Sequence, residues 1–147
     1  SLLLVLNSRA VEIIAHRGAS YDAPENTLAS VNLGWQRGAD AVEVDVYLSK
    51  DGKIVALHDK NTKRTTGHNG LVHELTWDQL RKLDAGSWKN KKYQDEPIPL
   101  LSQILETIPK GKYLVIEIKC GPEIIEPLAR LLKRTRTAPA NTSIISF

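Results

Sequence analysis

Four short runs of the sequence join β-branched residues to ionisable ones. His16-Arg17-Gly18 follows Ile13-Ile14-Ala15, and Glu43 and Asp45 alternate with Val42, Val44 and Val46. His58-Asp59 follows Ile54-Val55-Ala56-Leu57, and Glu117 and Lys119 alternate with Ile116 and Ile118. Side chains alternate along a strand, so Glu43 and Asp45 share one face, as do Glu117 and Lys119. The valines and isoleucines then face the other side, under helices. Carboxylates on a strand covered on both faces need counter-charge. All-oxygen donors favour a hard divalent cation, Mg²⁺ or Ca²⁺. Arg17 suits bidentate contact with a phosphate and Lys119 adds a point charge. His16 and His58 titrate near neutral pH and can divide acid and base work. A singly charged phosphodiester would then balance three carboxylates, one divalent cation and two basic side chains. The chemistry implied is cation-assisted displacement at phosphorus.

Each group also has a plainer reading. A Glu-x-Asp pair on a strand is usually a solvated face. Lys119 could simply pair with Glu117 or Glu43, and Arg17 could cap a helix. His68 and His73 read as structural, because they fall in a long connecting segment. The coincidence of ionisable groups at four successive strand ends favours a site.

The elements that must position these groups alternate strand with helix, which predicts an α/β fold with a parallel sheet. Strands are expected over residues 11–15, 41–48, 53–57, 113–119 and 142–147. Leu28, Val31 and Trp35 predict a helix with Asn26 or Thr27 as N-cap and Gly38 as its stop. Thr76 and Gln79 form a capping-box pattern ahead of Leu80 and Leu83. Leu101, Ile104, Leu105 and Ile108 predict a helix ended by Pro109. Residues 122–134 are helical in pattern, with Pro127 kinking the helix or delaying its start. Asp51-Gly52 sits between the second and third strands. That turn fits either a hairpin or a very short parallel crossover. Residues 60–97 exceed an ordinary βα loop and read as a packed insertion or lid with one short helix.

The chain has 147 residues, one domain's worth, with 41% hydrophobic and 25% charged residues, which excludes a disordered tail or a collagen-like rod. A net charge of +3 is too weak to indicate nucleic acid. The single cysteine, Cys120, excludes an internal disulfide framework and a cysteine zinc site. No stretch reaches the roughly 18–20 apolar residues of a membrane span. The apolar run Leu2-Leu3-Leu4-Val5-Leu6 reads either as a strand or helix packed under the domain or as the end of a signal segment with Asn7-Ser8-Arg9-Ala10 at its cleavage zone, and the packed reading is favoured. That favours a cytoplasmic protein over a secreted or periplasmic one. Ser1 in place of Met suggests that an upstream piece has been removed. Nothing in the sequence fixes an oligomeric state.

Taken together, the motifs resemble the glycerophosphodiester phosphodiesterase family. The likeness runs through His16-Arg17-Gly18-Ala19-Ser20, Ala23-Pro24-Glu25-Asn26-Thr27, Glu43-Val44-Asp45-Val46 and His58-Asp59. It continues through Arg64-Thr65-Thr66-Gly67, Leu83-Asp84-Ala85-Gly86-Ser87-Trp88, Ile98-Pro99-Leu100 and Ile116-Glu117-Ile118-Lys119. The resemblance implies a (β/α)₈ TIM barrel with catalytic residues at the carboxyl ends of the strands. It implies hydrolysis of small-molecule glycerophosphodiesters to glycerol 3-phosphate and an alcohol. By position, Glu43, Asp45 and Glu117 are similar to the family's metal ligands, His16 and His58 to its acid/base pair, and Arg17 and Lys119 to its phosphate contacts. The segment 60–97 is similar to the family's insertion. Glu25 could orient His16, and Asn26 is expected to cap the following helix. A barrel of this type takes about 250 residues. Residues 1–147 are therefore expected to be the N-terminal portion of a single barrel domain, with only about the first five strands. Two alternatives remain: a phospholipase-like phosphodiesterase acting on lysophospholipids, and a non-catalytic phosphate-binding module.

Overall fold

The computed structural model describes residues 11–146 apart from 136 and 138. The apolar run ending at Leu6, the stretch from Asn7 to Ala10, and Phe147 lie outside the described residues.

The sheet is organised around β2 (Ala41–Leu48), whose first six residues are all buried. The even positions Val42, Val44 and Val46 pack with Val31, Ile104, Leu114 and Ile116 in the main core. The odd positions carry Glu43 and Asp45 to the opposite face. On one side β2 runs parallel to β1 (Ile14–Ala15), and on the other to β4 (Tyr113–Ile118). β4 in turn runs parallel to β5 (Thr142–Ser146), giving the order β1-β2-β4-β5. Ile14 and Ile144 are exposed on the two outer strands.

The turn after β2 is a hairpin. β3 (Ile54–Ala56) pairs antiparallel with Val46, Tyr47 and Leu48 through a tight turn at Ser49 to Gly52. A parallel crossover needs a dozen or more residues, and so few can only reverse the chain. Among the described residues five strands are present, as expected, four of them parallel.

Helix α1 (Leu28–Gln36) crosses from β1 to β2. Its N-cap is Thr27, whose hydroxyl accepts from Ser30 N at 3.3 Å, with Ser30 Oγ reciprocating. The stop is Gly38, at φ +83°. Helix α5 (Ile125–Arg134) joins β4 to β5 and follows a 3₁₀ turn over Pro122–Ile124. Pro127 lies in its first turn, where a missing N–H leaves no intrahelical bond unmade. The proline delays the helix and does not kink it.

Residues 60–97 hold two four-residue helices, α2 (Lys63–Thr66) and α3 (Trp77–Leu80), with 3₁₀ turns at Val72–Glu74 and Lys91–Tyr93. They pack on their own small core of Val55, Leu57, Val72, Leu80, Ala85 and Ile98. Helix α4 (Leu101–Leu105) stops short of Ile108: Thr107 N and Ile108 N donate to the carbonyls three residues back, at Ile104 and Leu105, and Pro109 disfavours helical backbone at Ile108. Among the described residues, no helix is long and apolar enough to cross a membrane.

Candidate active site

Parallel register sets the carboxylates side by side. Asp45 lies opposite Glu117, and Glu43 is two residues earlier on the same face. One ligand atom from each of Glu43, Asp45 and Glu117 lies within 4.8 Å of the others. Asp45 is fully buried and Glu43 nearly so. Glu43 Oε1 and Asp45 Oδ1 are buried with no hydrogen-bond partner. Burial, with Asp45 and Glu117 close by, pushes the Glu43 carboxyl from 4.5 up to about 7. Orphaned buried oxygens on converging carboxylates fit a hard divalent cation, which supplies the charge and ligand bonds they lack.

The β1–α1 loop closes over this face. Arg17 has φ +55° and Gly18 φ +77°. A Cβ at Gly18 would sit 2.5 Å from the Ser30 carbonyl carbon, so glycine alone fits the turn. The turn directs Arg17 N–H to Glu43 Oε2 at 2.8 Å. It also places Arg17 Nε 3.2 Å from Asp45 Oδ2, without hydrogen-bond alignment. His16 is well exposed, its Nε2 3.9 Å from Glu43 Oε2. Just past β4, Lys119 Nζ donates to Glu117 Oε1 at 2.7 Å and lies 3.8 Å from Asp45 Oδ1. That ion pair raises the Lys119 pKa. Arg17 does not cap a helix.

Asn26 does not cap helix α1 either; Thr27 takes that place. With φ +58°, Asn26 turns inward instead. Its Nδ2 donates to Asp45 Oδ2 at 2.8 Å and its Oδ1 accepts from Asp45 N at 3.0 Å. A left-handed residue cannot have its side chain at the N-cap and against β2 at once.

His58 follows β3, where Leu57 N–H donates to Asp45 O at 3.0 Å. His58 Nδ1 lies 2.6 Å from Asp59 Oδ1. The Arg64 hydrogen bond and charge hold the Asp59 carboxyl below its ordinary value, against the pull of burial. An ionised carboxylate only accepts, so the Nδ1 that meets it carries a proton. Glu25 binds Arg17 and Arg64 and does not touch His16 among the described contacts. Burial raises the Glu25 carboxyl, but the two guanidinium groups bring it below its ordinary value. His68 and His73 are both exposed on the inserted segment.

The structure thus brings together Glu43, Asp45, Glu117, Arg17, Lys119 and His16, and sets His58 on the adjoining hairpin. The buried role of Asn26 and the part taken by Arg64 were not read from the sequence. The runs that contain them were visible, but no spacing rule links residues 26 and 45, or 25 and 64. A cleft of about 750 Å³ between α4, α5 and the hairpin turn contains none of these groups.

Comparisons with known proteins agree with this arrangement. The Glycerophosphoryl diester phosphodiesterase family profile matches residues 16–139. A glycerophosphodiester phosphodiesterase of Caldanaerobacter subterraneus is 43% identical over 126 residues, covering 82% of this chain and 52% of that protein. The crystal structure of a glycerophosphodiester phosphodiesterase from Agrobacterium tumefaciens superposes with a TM-score of 0.85 at 34% identity, covering 94% of this chain and 58% of the other. A phosphodiesterase of Oleispira antarctica, solved with the product sn-glycerol-3-phosphate, has a TM-score of 0.83 at 41% identity, covering 92% and 56%. The chain spans about half the length of the curated relatives it matches. Its sheet and crossovers form part of a (β/α)₈ barrel. With its charged strand ends on one face of that partial barrel, the chain belongs to the glycerophosphoryl diester phosphodiesterase family.

Proposed function

We propose that the protein hydrolyses glycerophosphodiesters to glycerol 3-phosphate and an alcohol, this chain supplying the part of the barrel that carries the reacting groups. The convergence of Glu43, Asp45 and Glu117, with orphaned oxygens beside Arg17 and Lys119, carries the reading. The product-bound Oleispira relative supports it. Glu43, Asp45 and Glu117 would hold a divalent cation, Mg²⁺ or Ca²⁺. When bound, that ion would polarise a phosphoryl oxygen and offset the negative charge gathering on the oxygens around phosphorus. Arg17 and Lys119 hold and orient the phosphodiester. His58 accepts a proton at Nε2, because Asp59 fixes the proton at Nδ1. His16 is the second member of the acid/base pair, exposed where a substrate oxygen can reach it. The test is turnover of glycerophosphocholine and glycerophosphoethanolamine by the full-length protein, with and without EDTA, and in His16→Ala and His58→Ala. Activity that survives chelation, or both substitutions, refutes the mechanism.

Lysophospholipids form a second reading, favoured by one observation. Tyr21 is 90% exposed and Trp88 41% exposed, and Lys89 beside Trp88 donates to Ser20 O at 2.8 Å. Two aromatic rings therefore stand in solvent on adjoining loops, where an acyl chain could lie. Faster turnover of lysophospholipids than of deacylated diesters would select it. Phosphate binding without turnover would select a non-catalytic module.

A further inference from the structure

One side chain from the inserted segment touches both arms of the site. Arg64, on α2, donates from Nε to Asp59 Oδ2 at 2.6 Å. The same guanidinium donates from NH2 to Glu25 Oε1 at 2.6 Å and from NH1 to Glu25 Oε2 at 3.0 Å. Asp59 in turn meets His58 Nδ1, and Glu25 accepts from Arg17 NH1 at 3.2 Å. Three separate stretches of chain are joined through this planar fork: the β1–α1 loop, the loop after β3, and α2.

We propose that Arg64 is a positioning residue for the reaction, fixing the ring of His58 through Asp59 and the guanidinium of Arg17 through Glu25. The proposal rests on the acid/base and phosphate-holding roles assigned above. The contacts of Arg64 are to Asp59 and Glu25, and not to Glu43, Asp45 or Glu117. Its fork binds two carboxylates at once, a geometry that a lysine ammonium cannot reproduce. Its side chain is 43% exposed. Glu25, only 11% exposed, keeps Arg17 at 3.2 Å as a counter-charge and the half-exposed Asp59 can turn to water, so the fold tolerates the loss of Arg64. The loss falls instead on orientation. Without Arg64, Asp59 turns to solvent, the Nδ1 bond weakens, and the second neutral tautomer of His58, with its proton at Nε2, becomes populated. That tautomer cannot accept a proton where the first one does. A positioned general acid or base contributes about 10²–10⁴-fold to rate, so partial misorientation of His58 is expected to cost about 10–100-fold.

The test uses the full-length protein with Arg64→Met, Arg64→Lys and Arg64→Ala. Imidazole ¹⁵N shifts report the His58 tautomer, and kcat and KM are measured on glycerophosphocholine. In Arg64→Met and Arg64→Lys, the expected results are a kcat lowered about 10–100-fold, a mixed His58 tautomer and a Tm within a few degrees of wild type. Added guanidinium ion is expected to restore part of kcat in Arg64→Ala. An unchanged tautomer or an unchanged kcat overturns the proposal, as does a loss of activity that only tracks a lowered Tm. If the wild-type protein turns over no glycerophosphodiester, the functional reading fails, and the imidazole shifts alone still decide whether Arg64 orients His58.

Discussion

Asn26 and Asp45 exchange two hydrogen bonds across 19 residues of sequence, the amide of one spanning the carboxylate and backbone N–H of the other. Asp45 has no solvent to turn to. Asn26→Ala therefore leaves a buried N–H and a carboxylate oxygen short of partners. A loss of about 1–3 kcal/mol is expected, read from urea denaturation, together with a fall in turnover. Asn26→Asp sets a second carboxylate against Asp45 and is expected to do more harm as pH rises. A neutral result for Asn26→Ala in both measurements would remove Asn26 from the site.

Glu43 links pH to stability. Its folded-state pKa of about 7 exceeds its ordinary 4.5, so the folded protein binds this proton more tightly than the unfolded chain. The contribution is complete below about pH 4.5 and is lost as pH rises through about 7. In metal-free protein at pH 8, Glu43→Gln is expected to be the more stable form, by roughly 2–3 kcal/mol. Added Mg²⁺ or Ca²⁺ should stabilise wild type and not Glu43→Gln. Thermal melts at pH 5 and pH 8, with and without cation, check both signs.

Lys119 sits between Glu117 and Asp45, where it can neutralise carboxylates, hold phosphate, or do both. Lys119→Met is expected to raise KM about tenfold, roughly 1.4 kcal/mol, while cation affinity rises because a competing positive charge has gone. A raised cation affinity with unchanged KM would confine Lys119 to charge balance.

Gly86 has no room for a side chain. An added Cβ would meet Tyr93 O at 1.9 Å and Glu96 Cβ at 2.7 Å. Gly86→Ala is expected to cost about 1–3 kcal/mol, measured by denaturation, and to lower turnover despite its distance in sequence from every charged group of the site.

Much of this was legible in the sequence, for reasons particular residues make plain. Alternation of Val42, Val44 and Val46 with Glu43 and Asp45 gives a strand of known facing, and Ile116-Glu117-Ile118 repeats the pattern on its neighbour. Thr76 and Gln79 place a helix start that the structure repeats. The turn at Asp51-Gly52 was ambiguous, because turn residues do not encode strand direction; the few residues available decide it. Asn26 has the sequence context of a cap because cap preference is local, whereas its left-handed backbone and its partner on β2 are tertiary facts. The path from Arg17 through Glu25, Arg64 and Asp59 to His58 was invisible for the same reason. It depends on where the inserted segment docks, and no periodicity records that.

The inserted segment holds the β1–α1 loop at two further points, Lys89 on Ser20 O and Tyr93 Oη on Asp22 O at 3.1 Å, and holds the first turn of α1 at a third, where Ala29 N–H donates to Glu96 Oε1 at 3.0 Å. The loop that aims Arg17 thus borrows its rigidity from residues some 70 positions downstream. A mutational screen scored on turnover alone would report lesions around residues 86–96 as losses of chemistry. Their true character is mechanical: a slackened brace, whose signature is faster proteolysis or amide exchange in residues 16–26 of an otherwise folded protein.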